Sequence, residues 1–568
     1  MSGGTIELDG KVLDIETART VLKLDRDADV AQILRRFVAP DSQGVDQKKP
    51  KQADLLVELA QAAKTFHAPD NRAFATITVG GHDEVWPVRS KGFRSWLTRA
   101  FYQRHATVAN NDAIQSAVAL VEAHAQIDGP ERCIYTRVAV VDDAMYLDLC
   151  DDRWRVVNIT AEGWSVVDHA PVPFVKPAGM CPLPEPVRGG SVDMLRDLVN
   201  VRNDADFILL VAWILAALRA AGPYPVLALA GEQGAAKSSA AYSLRSLVDP
   251  NAAAIRSPPR NERDLFIAAS NAHVLAFDNI SKLPDWLSDA FCRLATGGGF
   301  ATRSLYTDDA ERIFDAQRPI ILNGIEDFVG RPDLADRSIV LRLSPIPDIR
   351  RMAEQDFRTK IDAARPAILG ALLDVVAAGI RNLPEVRLET LPRMADFAKW
   401  AAACEPALWD RGAFAEAYGR NRADATETIV DLDPVASAVR AHMQTLQMAL
   451  TANCEQILGA LTDAVGERRA KAKDWPKSAS ALSNRLRRAA PELRKVGIQI
   501  TMDLPPACRG GPKLVCIERL PESSGKSPST ASAASVEPLF ADGVDGDLLT
   551  QSENCQRCDG EGCNWCQT

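Results

Sequence analysis

The sequence predicts a multidomain α/β protein, and three observations carry that expectation. At ~100–200 residues per domain, 568 residues are too many for one domain. Between about 190 and 345, helix-like and strand-like runs alternate, the layout of a layered α/β core. That core is flanked by short alternating runs over 54–185 and by almost purely helical periodicity over 346–465.

Composition narrows the class. Hydrophobic residues make up 46% and charged residues 25%, which excludes wholesale disorder. Lys plus Arg number 66 against 75 Asp plus Glu, a formal charge of −9. A chain basic all over is therefore excluded, and any polyanion site must be a local patch. The N-terminus, MSGGTIELDGKV, lacks the basic start and apolar core of a secretion signal. The most apolar run, Phe207 to Leu218, falls short of the ~20 residues that span a bilayer and predicts a buried helix. Of 12 Cys, most are scattered and four crowd near the end, which predicts a reducing, cytoplasmic setting and no membrane partner.

In chain order, residues 1–53 form an extension ending in the polar stretch DSQGVDQKKPKQ. Residues 54–185 predict a β-rich N-terminal domain. DLLVELAQAAKTF opens it as a short helix, and FATITV and EVWPV follow as strands. After a helical interlude, CIYTRVAVV, AMYLDLC, RWRVVNI and WSVV read as an antiparallel meander. The carboxylates Asp142, Asp143, Asp151 and Asp152 fall between those runs and read as turn residues rather than metal ligands. Pro and Gly crowd between Pro171 and Gly190, predicting a domain boundary. The core then runs over 190–345 and a helical region over 346–465. A basic domain at 466–520, a Ser/Pro/Ala-rich linker at 521–553 and a Cys cluster at 554–568 complete the chain.

The chemistry concentrates in VLALAGEQGAAKSSAAYSL, residues 226–244. An apolar strand leads into a loop of Gly231, Glu232, Gln233, Gly234, Ala235, Ala236, Lys237 and Ser238, and Ser239 continues into a helix. Backbone N–H groups of such a loop cradle the phosphates of ATP. Lys237 would reach their oxygens, and Ser238 would ligate Mg²⁺. The usual Gly before the Lys is replaced by Ala236. A second strand, HVLAFDNI, ends in Asp278, suited to holding Mg²⁺ through its water shell. Asn279 stands where a catalytic Glu would be expected. An amide can orient water but cannot take its proton, so either hydrolysis is slow or Asp285, Glu311 or Glu326 is the base. A third strand, RPIILN, ends in Asn323, suited to the γ-phosphate or the attacking water. Arg337, directly before the next strand, reads either as a finger into a neighbouring subunit's ATP site or as an ion-pair partner of Asp333 or Asp336. TGGGFATRSLYTDDAERIF predicts a hairpin before the Asn323 strand.

Together these segments resemble the AAA+ helicase core, nearest to superfamily 3 phage and plasmid replicative helicases and to minichromosome-maintenance helicases. The likeness covers about 200–345. It implies a hexameric ring of identical subunits moving along DNA, with hairpin residues in the pore. Arg303 would then touch the DNA backbone and Tyr306 would stack on it. The acidic tip, Asp308 and Asp309, and Asn279 depart from that pattern.

Between Glu467 and Arg519 basic residues far outnumber acidic ones. SASALSNRLRRAAPELRKVGI reads as a helix with Leu482, Leu486 and Leu493 inward and Arg485, Arg488 and Arg494 outward, followed by Lys495 and a strand–turn–strand. This resembles a winged helix, which lays one helix in the major groove of DNA. In the tail, Cys555, Cys558, Cys563 and Cys566 form two Cys-x-x-Cys pairs that suit one tetrahedral Zn²⁺. The leading expectation is an ATP-dependent DNA helicase or translocase for replication of a mobile element. No primase site is visible, so a primase would be a separate partner. The rival is an ATP-gated DNA-binding adaptor that does not unwind.

Overall fold

The computed structural model describes residues 51–520 apart from 299, 304–310, 315–316, 326–327, 447–448 and 506–511, together with the two strands Thr5–Leu8 and Lys11–Asp14. The backbone, but not the side chains, is described for 5–8, 11–14, 300–303 and 311–314. The chain divides into two units, Met1–Arg519 and Leu520–Thr568; the second lies, but for Leu520, outside the described residues. With it lie the four tail cysteines and their expected zinc site.

The strands β1 (Thr5–Leu8) and β2 (Lys11–Asp14) form an antiparallel pair. A first core follows from α1 (Gln52–Ala60), β3 (Lys64–His67), β4 (Ala73–Val79), β5 (His82–Pro87), α2 (Lys91–His105) and α3 (Asn111–Ile127). The three strands pair in chain order, antiparallel. Phe93, Leu97 and Phe101 recur at helical spacing on α2 and are buried, and the Ser90 hydroxyl caps that helix by accepting from Phe93 N–H. The expectation of a β-rich domain is corrected here: three amphipathic helices share the core with one small sheet.

The meander is present as β6 (Val138–Val141), β7 (Ala144–Asp148), β8 (Val156–Thr160) and β9 (Gly163–Val167), antiparallel in that order. Asp142 and Asp143 both sit at positive φ, 48° and 65°, between the paired Val141 and Ala144. That is the two-residue hairpin turn in which a short side chain tolerates the left-handed conformation. Asp151 likewise serves its turn, accepting from the backbone N–H groups of Arg153 and Arg155.

The Pro/Gly-rich stretch after β9 is a packed strap and not the loose boundary its composition predicts. Val175 N–H donates to Tyr135 O, Leu183 N–H to Leu149 O and Val187 N–H to Pro366 O. The inner face of the meander shares one apolar core with the region that follows, so the core does not break near residue 185.

That region begins with α4 (Asp204–Ala217), almost wholly buried, and continues with β10 (Val226–Ala230), α5 (Lys237–Val248), α6 (Glu262–Ser270), β11 (Leu275–Ile280) and α7 (Asp285–Thr296). The antiparallel pair β12 (Phe300–Arg303) and β13 (Glu311–Phe314) precedes β14 (Ile320–Gly324), α8 (Pro332–Ala335) and β15 (Ser338–Arg342). Four strands form an all-parallel sheet in the order β11-β14-β10-β15. The middle strands β10 and β14 are buried at every position, as a sheet covered on both faces requires.

Helices α9 (Glu354–Asn382), α10 (Ala395–Cys404) and α11 (Ala413–Leu432) close one side. The segment Glu354–Glu385 is long and apolar enough to cross a membrane, yet Ile361, Ile368, Leu369, Leu372 and Val376 are buried in the protein core. The C-terminal part of this unit comprises α12 (Pro434–Thr445), β16 (Leu450–Asn453), α13 (Cys454–Ala470), α14 (Ala479–Lys495), β17 (Ile498–Leu504) and β18 (Leu514–Arg519). Its strands pair antiparallel in the order β16-β18-β17. Its apolar core draws on Val435, Val439, Met443, Ile457 and Leu461 as well as Leu482, Leu486 and Leu493. The domain therefore starts near residue 430, ahead of the expected 466, because α12 and α13 supply half of its core.

Candidate functional site

Strand β10 ends at the C-terminal edge of the parallel sheet, and the next six residues turn sharply into α5. Gly231 and Gly234 have φ of 153° and 86°. A Cβ on Gly231 would stand 2.5 Å from Leu343 O, so no larger residue fits there. Ala236 adopts a left-handed φ of 57°, a conformation that costs a non-glycine residue about 1 kcal/mol. The missing glycine is thus accommodated by backbone strain with the loop geometry intact.

The Lys237 ammonium folds back on the loop and donates to Gly231 O at 2.8 Å and Glu232 O at 2.7 Å. Burial lowers its pKa, and Asp278 opposes that shift. Ser238 Oγ donates to Asp278 Oδ2 at 2.7 Å, so the two expected Mg²⁺ ligands, one from the start of α5 and one from β11, meet. Asp278 Oδ1 accepts from Asn279 N–H at 2.8 Å. Asn279 is exposed, at a φ of 59°, where the pairing of β11 with β14 shifts register. Beside it on β14, Asn323 is fully buried, and neither its Oδ1 nor its Nδ2 has a partner. The sequence predicted a polar strand tip; the structure places that amide inside. An unmet buried polar group costs about 1–3 kcal/mol, a cost a bound group could remove.

Two contributors escaped the sequence reading. Arg351 lies against the loop, its Nη2 3.3 Å from where a Cβ on Gly234 would stand. Asn200 donates its side-chain amide to Ser344 O, holding the segment that passes under the loop. Neither belongs to a local motif. Only the close approach of the chain after β15, where Ile346 N–H donates to Gly234 O, brings this segment to the loop.

Arg337 takes the ion-pair arrangement within its own subunit. Its Nη1 meets Asp333 Oδ1 at 2.5 Å, and its side chain is only 13% exposed. Among the alternative bases, Asp285 is exposed and faces Arg331 at 3.6 Å. Glu311 pairs in register with Arg303 in the β12–β13 hairpin, whose side chains are not described; Tyr306 and Glu326 lie outside the described residues.

On α14 the expected outward arginines are sorted differently. Arg485 turns to Asp433 at 3.4 Å and donates to Asp474 O at 2.9 Å. Arg494 donates to Gln499 Oε1, and Lys495 meets Asp336 at 2.8 Å and Glu492 at 3.1 Å. Arg488 is exposed with no partner among the described residues. The exposed stripe is Ser480, Asn484, Arg487, Arg488 and Arg494, with Asn484 standing where the sequence reading put Arg485. No cluster of three metal-ligating side chains occurs among the described residues.

Residues 192–414 match the family model of the actinomycete integrative conjugative element replication protein, and residues 435–531 match that of its C-terminal domain. These two regions belong to a mobile-element replication protein family. The first holds the loop, Asp278, Asn323, Arg337 and Arg351; the second holds α12 through β18. No curated protein matches. Among solved structures, the A-form apo structure of the NrS-1 C-terminal region is similar at 10% identity and a TM-score of 0.37, covering 83% of this chain and 98% of that one. A second apo structure of the NrS-1 C-terminal region gives 11% identity and a TM-score of 0.37, covering 83% and 100%. Likeness at that level decides nothing further about this chain.

Proposed function

We propose that this chain is an ATP-driven DNA helicase or translocase with an AAA+ core of the superfamily 3 kind, serving replication of an integrative conjugative element from the cytoplasm. The observation that carries the reading is the meeting of Ser238 and Asp278 at 2.7 Å beside the Lys237 loop, at the C-terminal edge of a parallel sheet. In this reading the loop amides and Lys237 bind the ATP phosphates, and Lys237 exchanges its two carbonyl partners for phosphate oxygens. Ser238 and Asp278 would hold Mg²⁺, which supplies charge neutralisation at the phosphates when bound. The unpaired amide of Asn323 and the exposed amide of Asn279 orient water, and Arg351 adds positive charge at the same loop.

Arg337 would leave Asp333 and act on a neighbour's ATP once subunits close into a ring, a hexamer by the family resemblance. The α12–β18 domain, in its helix–strand–helix–helix–strand–strand order, would be a winged helix that grips duplex DNA through α14. The tail cysteines would hold one Zn²⁺ per chain, which metal analysis of the purified protein would count. A primase would be a separate partner. The decisive experiment pairs a DNA-stimulated ATPase assay with strand displacement, and the motor reading expects both activities. ATP and DNA binding without strand displacement would favour the adaptor reading, which Asn279 in place of a carboxylate and the Arg337–Asp333 pair both support.

A further inference from the structure

One cationic surface lies outside everything assigned above. The segment Arg256 to Arg263 carries three arginines and leads from the edge of the parallel sheet into α6. Most arginines in this acidic protein meet a carboxylate or a backbone carbonyl. Here Arg260 and Arg263 are exposed and Arg256 half-buried, and none of the three guanidiniums has a partner among the described residues. The nearby acids are already engaged. Glu262 pairs with Arg293 at 2.9 Å, and Asp264 accepts from the Asn261 side-chain amide at 3.1 Å while its own N–H donates to Asn261 Oδ1 at 2.9 Å. Arg256, Ser257, Arg260 and the stiff pair Pro258–Pro259 line an open cavity of about 380 Å³ with Phe277, Ala268 and one carboxylate, Asp264.

The position of this cavity links it to the candidate ATP site. Arg256 N–H donates to Ala276 O at 3.0 Å, and Asp278 N–H donates to Arg256 O at 2.9 Å. Arg256 therefore bridges the edge of β11, bonded through its backbone to Asp278, which accepts from Ser238. Whatever grips the arginines pulls on the strand end that bears Asp278.

We propose that Arg256, Arg260 and Arg263 form a binding site for the phosphodiester backbone of a single DNA strand. Uncompensated guanidiniums recognise phosphate oxygens through paired N–H donors. The three are spread along an extended loop and the first turn of a helix. That spacing along the chain suits a run of phosphates better than one nucleotide, and of the two nearby carboxylates Glu262 is held by Arg293, which leaves no glycine loop and one carboxylate, Asp264, at the cavity. This inference rests on the DNA-motor reading for its purpose, but its binding test needs no ATP.

The test uses the full-length protein and two probes, oligothymidine and a DNA duplex, titrated over a range of salt concentrations without nucleotide. Arg260→Gln with Arg263→Gln is expected to weaken oligothymidine binding by about tenfold at low salt. The log–log salt slope should fall by about 1.4, at about 0.7 per lost phosphate contact on a single strand. Arg260→Lys with Arg263→Lys should keep most of the affinity. Arg488→Ala, made in parallel, should act chiefly on the duplex. Unchanged oligothymidine affinity and slope in the Gln pair overturns the proposal. So does an equal loss in the Lys pair, which would point to shape rather than charge, or, in a separate ATP titration of the Gln pair, a loss of ATP affinity with oligothymidine binding unchanged, which would make this a nucleotide subsite. If Arg488→Ala leaves duplex binding untouched, the reading of α14 fails while this site stands.

Discussion

Lys237 is held by two carbonyls of its own loop, and a group that must change partners on binding ATP is exposed to a direct test. Lys237→Ala is expected to lose ATP binding, because nothing then offsets the phosphate charge at that point; near-normal affinity by nucleotide titration would end the phosphate-loop reading. Arg337 gives the sharper case, because its Asp333 pair is an i,i+4 contact in a half-open setting and contributes little stability. Arg337→Ala should keep its fold and bind ATP, yet hydrolyse it about 10³–10⁵-fold more slowly if the residue acts as a finger. Mixing it with Lys237→Ala should recover some activity, since the second mutant lends its intact Arg337 to a neighbour with an intact loop. Co-assembled mixtures no more active than the separate mutants would assign Arg337 to the ion pair alone.

At the scale of elements, α14 separates what charge alone predicts from what packing allows. Its basic residues look interchangeable in sequence, but three of the four expected DNA contacts are occupied by Asp433, Gln499, Asp336 and Glu492. Of the four, Arg488 alone has no partner among the described residues, so Arg488→Ala should weaken duplex binding and lower the salt slope by about 0.9, one phosphate on B-DNA. Arg485→Ala should leave both nearly unchanged; the reverse ranking, measured by titration over salt, would return DNA to the Arg485 side. What was legible in the sequence follows the same division. The strand–loop–helix of β10 and α5 and the Asp-Asp hairpin turn are written in neighbouring residues, and they were found. Arg351 at the loop, the buried amide of Asn323 and the early start of the C-terminal domain depend on contacts between segments far apart in the chain. No local pattern announces those.

Across the whole molecule, one buried ionic cluster ties three regions together. Arg137, from the chain entering the meander, meets Asp249 at the end of α5 at 3.1 Å with both side chains almost fully buried. Asp249 Oδ2 also accepts from the backbone N–H groups of His273 and Val274, at 2.9 Å and 3.0 Å, on the approach to β11. Burial pushes the Asp249 carboxyl up, but Arg137 and the neighbouring donors hold it below the ordinary value. His273 lies wholly inside, its Nε2–H donating to Ala217 O at 2.7 Å, and burial lowers its pKa to about 4. Because the folded value lies below the unfolded one, the neutral imidazole contributes stability that is complete above about pH 6.5 and drains away as pH falls toward 4. The full loss is on the order of 3 kcal/mol. Denaturant melts at pH 5 and pH 7.5 should show that gap shrinking in His273→Gln, and an identical pH dependence in both proteins would remove His273 as its source.

The strap after β9 bears on how the molecule can be cut. Its backbone is engaged by Tyr135, Leu149 and Pro366, and a Cβ on Gly370 or Gly190 would collide with the carbonyls of Val187 or Ala367 at about 2 Å. A protease needs several residues in extended, detached form, so Pro171–Gly190 should resist digestion while the whole protein is native, despite a composition that invites cleavage. A fragment beginning at Gly190 would also bare the apolar surface of α9 that Trp164 and its strand neighbours cover, and it should be recovered as aggregate rather than as a soluble motor core. Rapid trypsin nicking at Arg188 to give a stable, soluble piece would show that the strap does not bind the two parts into one folding unit.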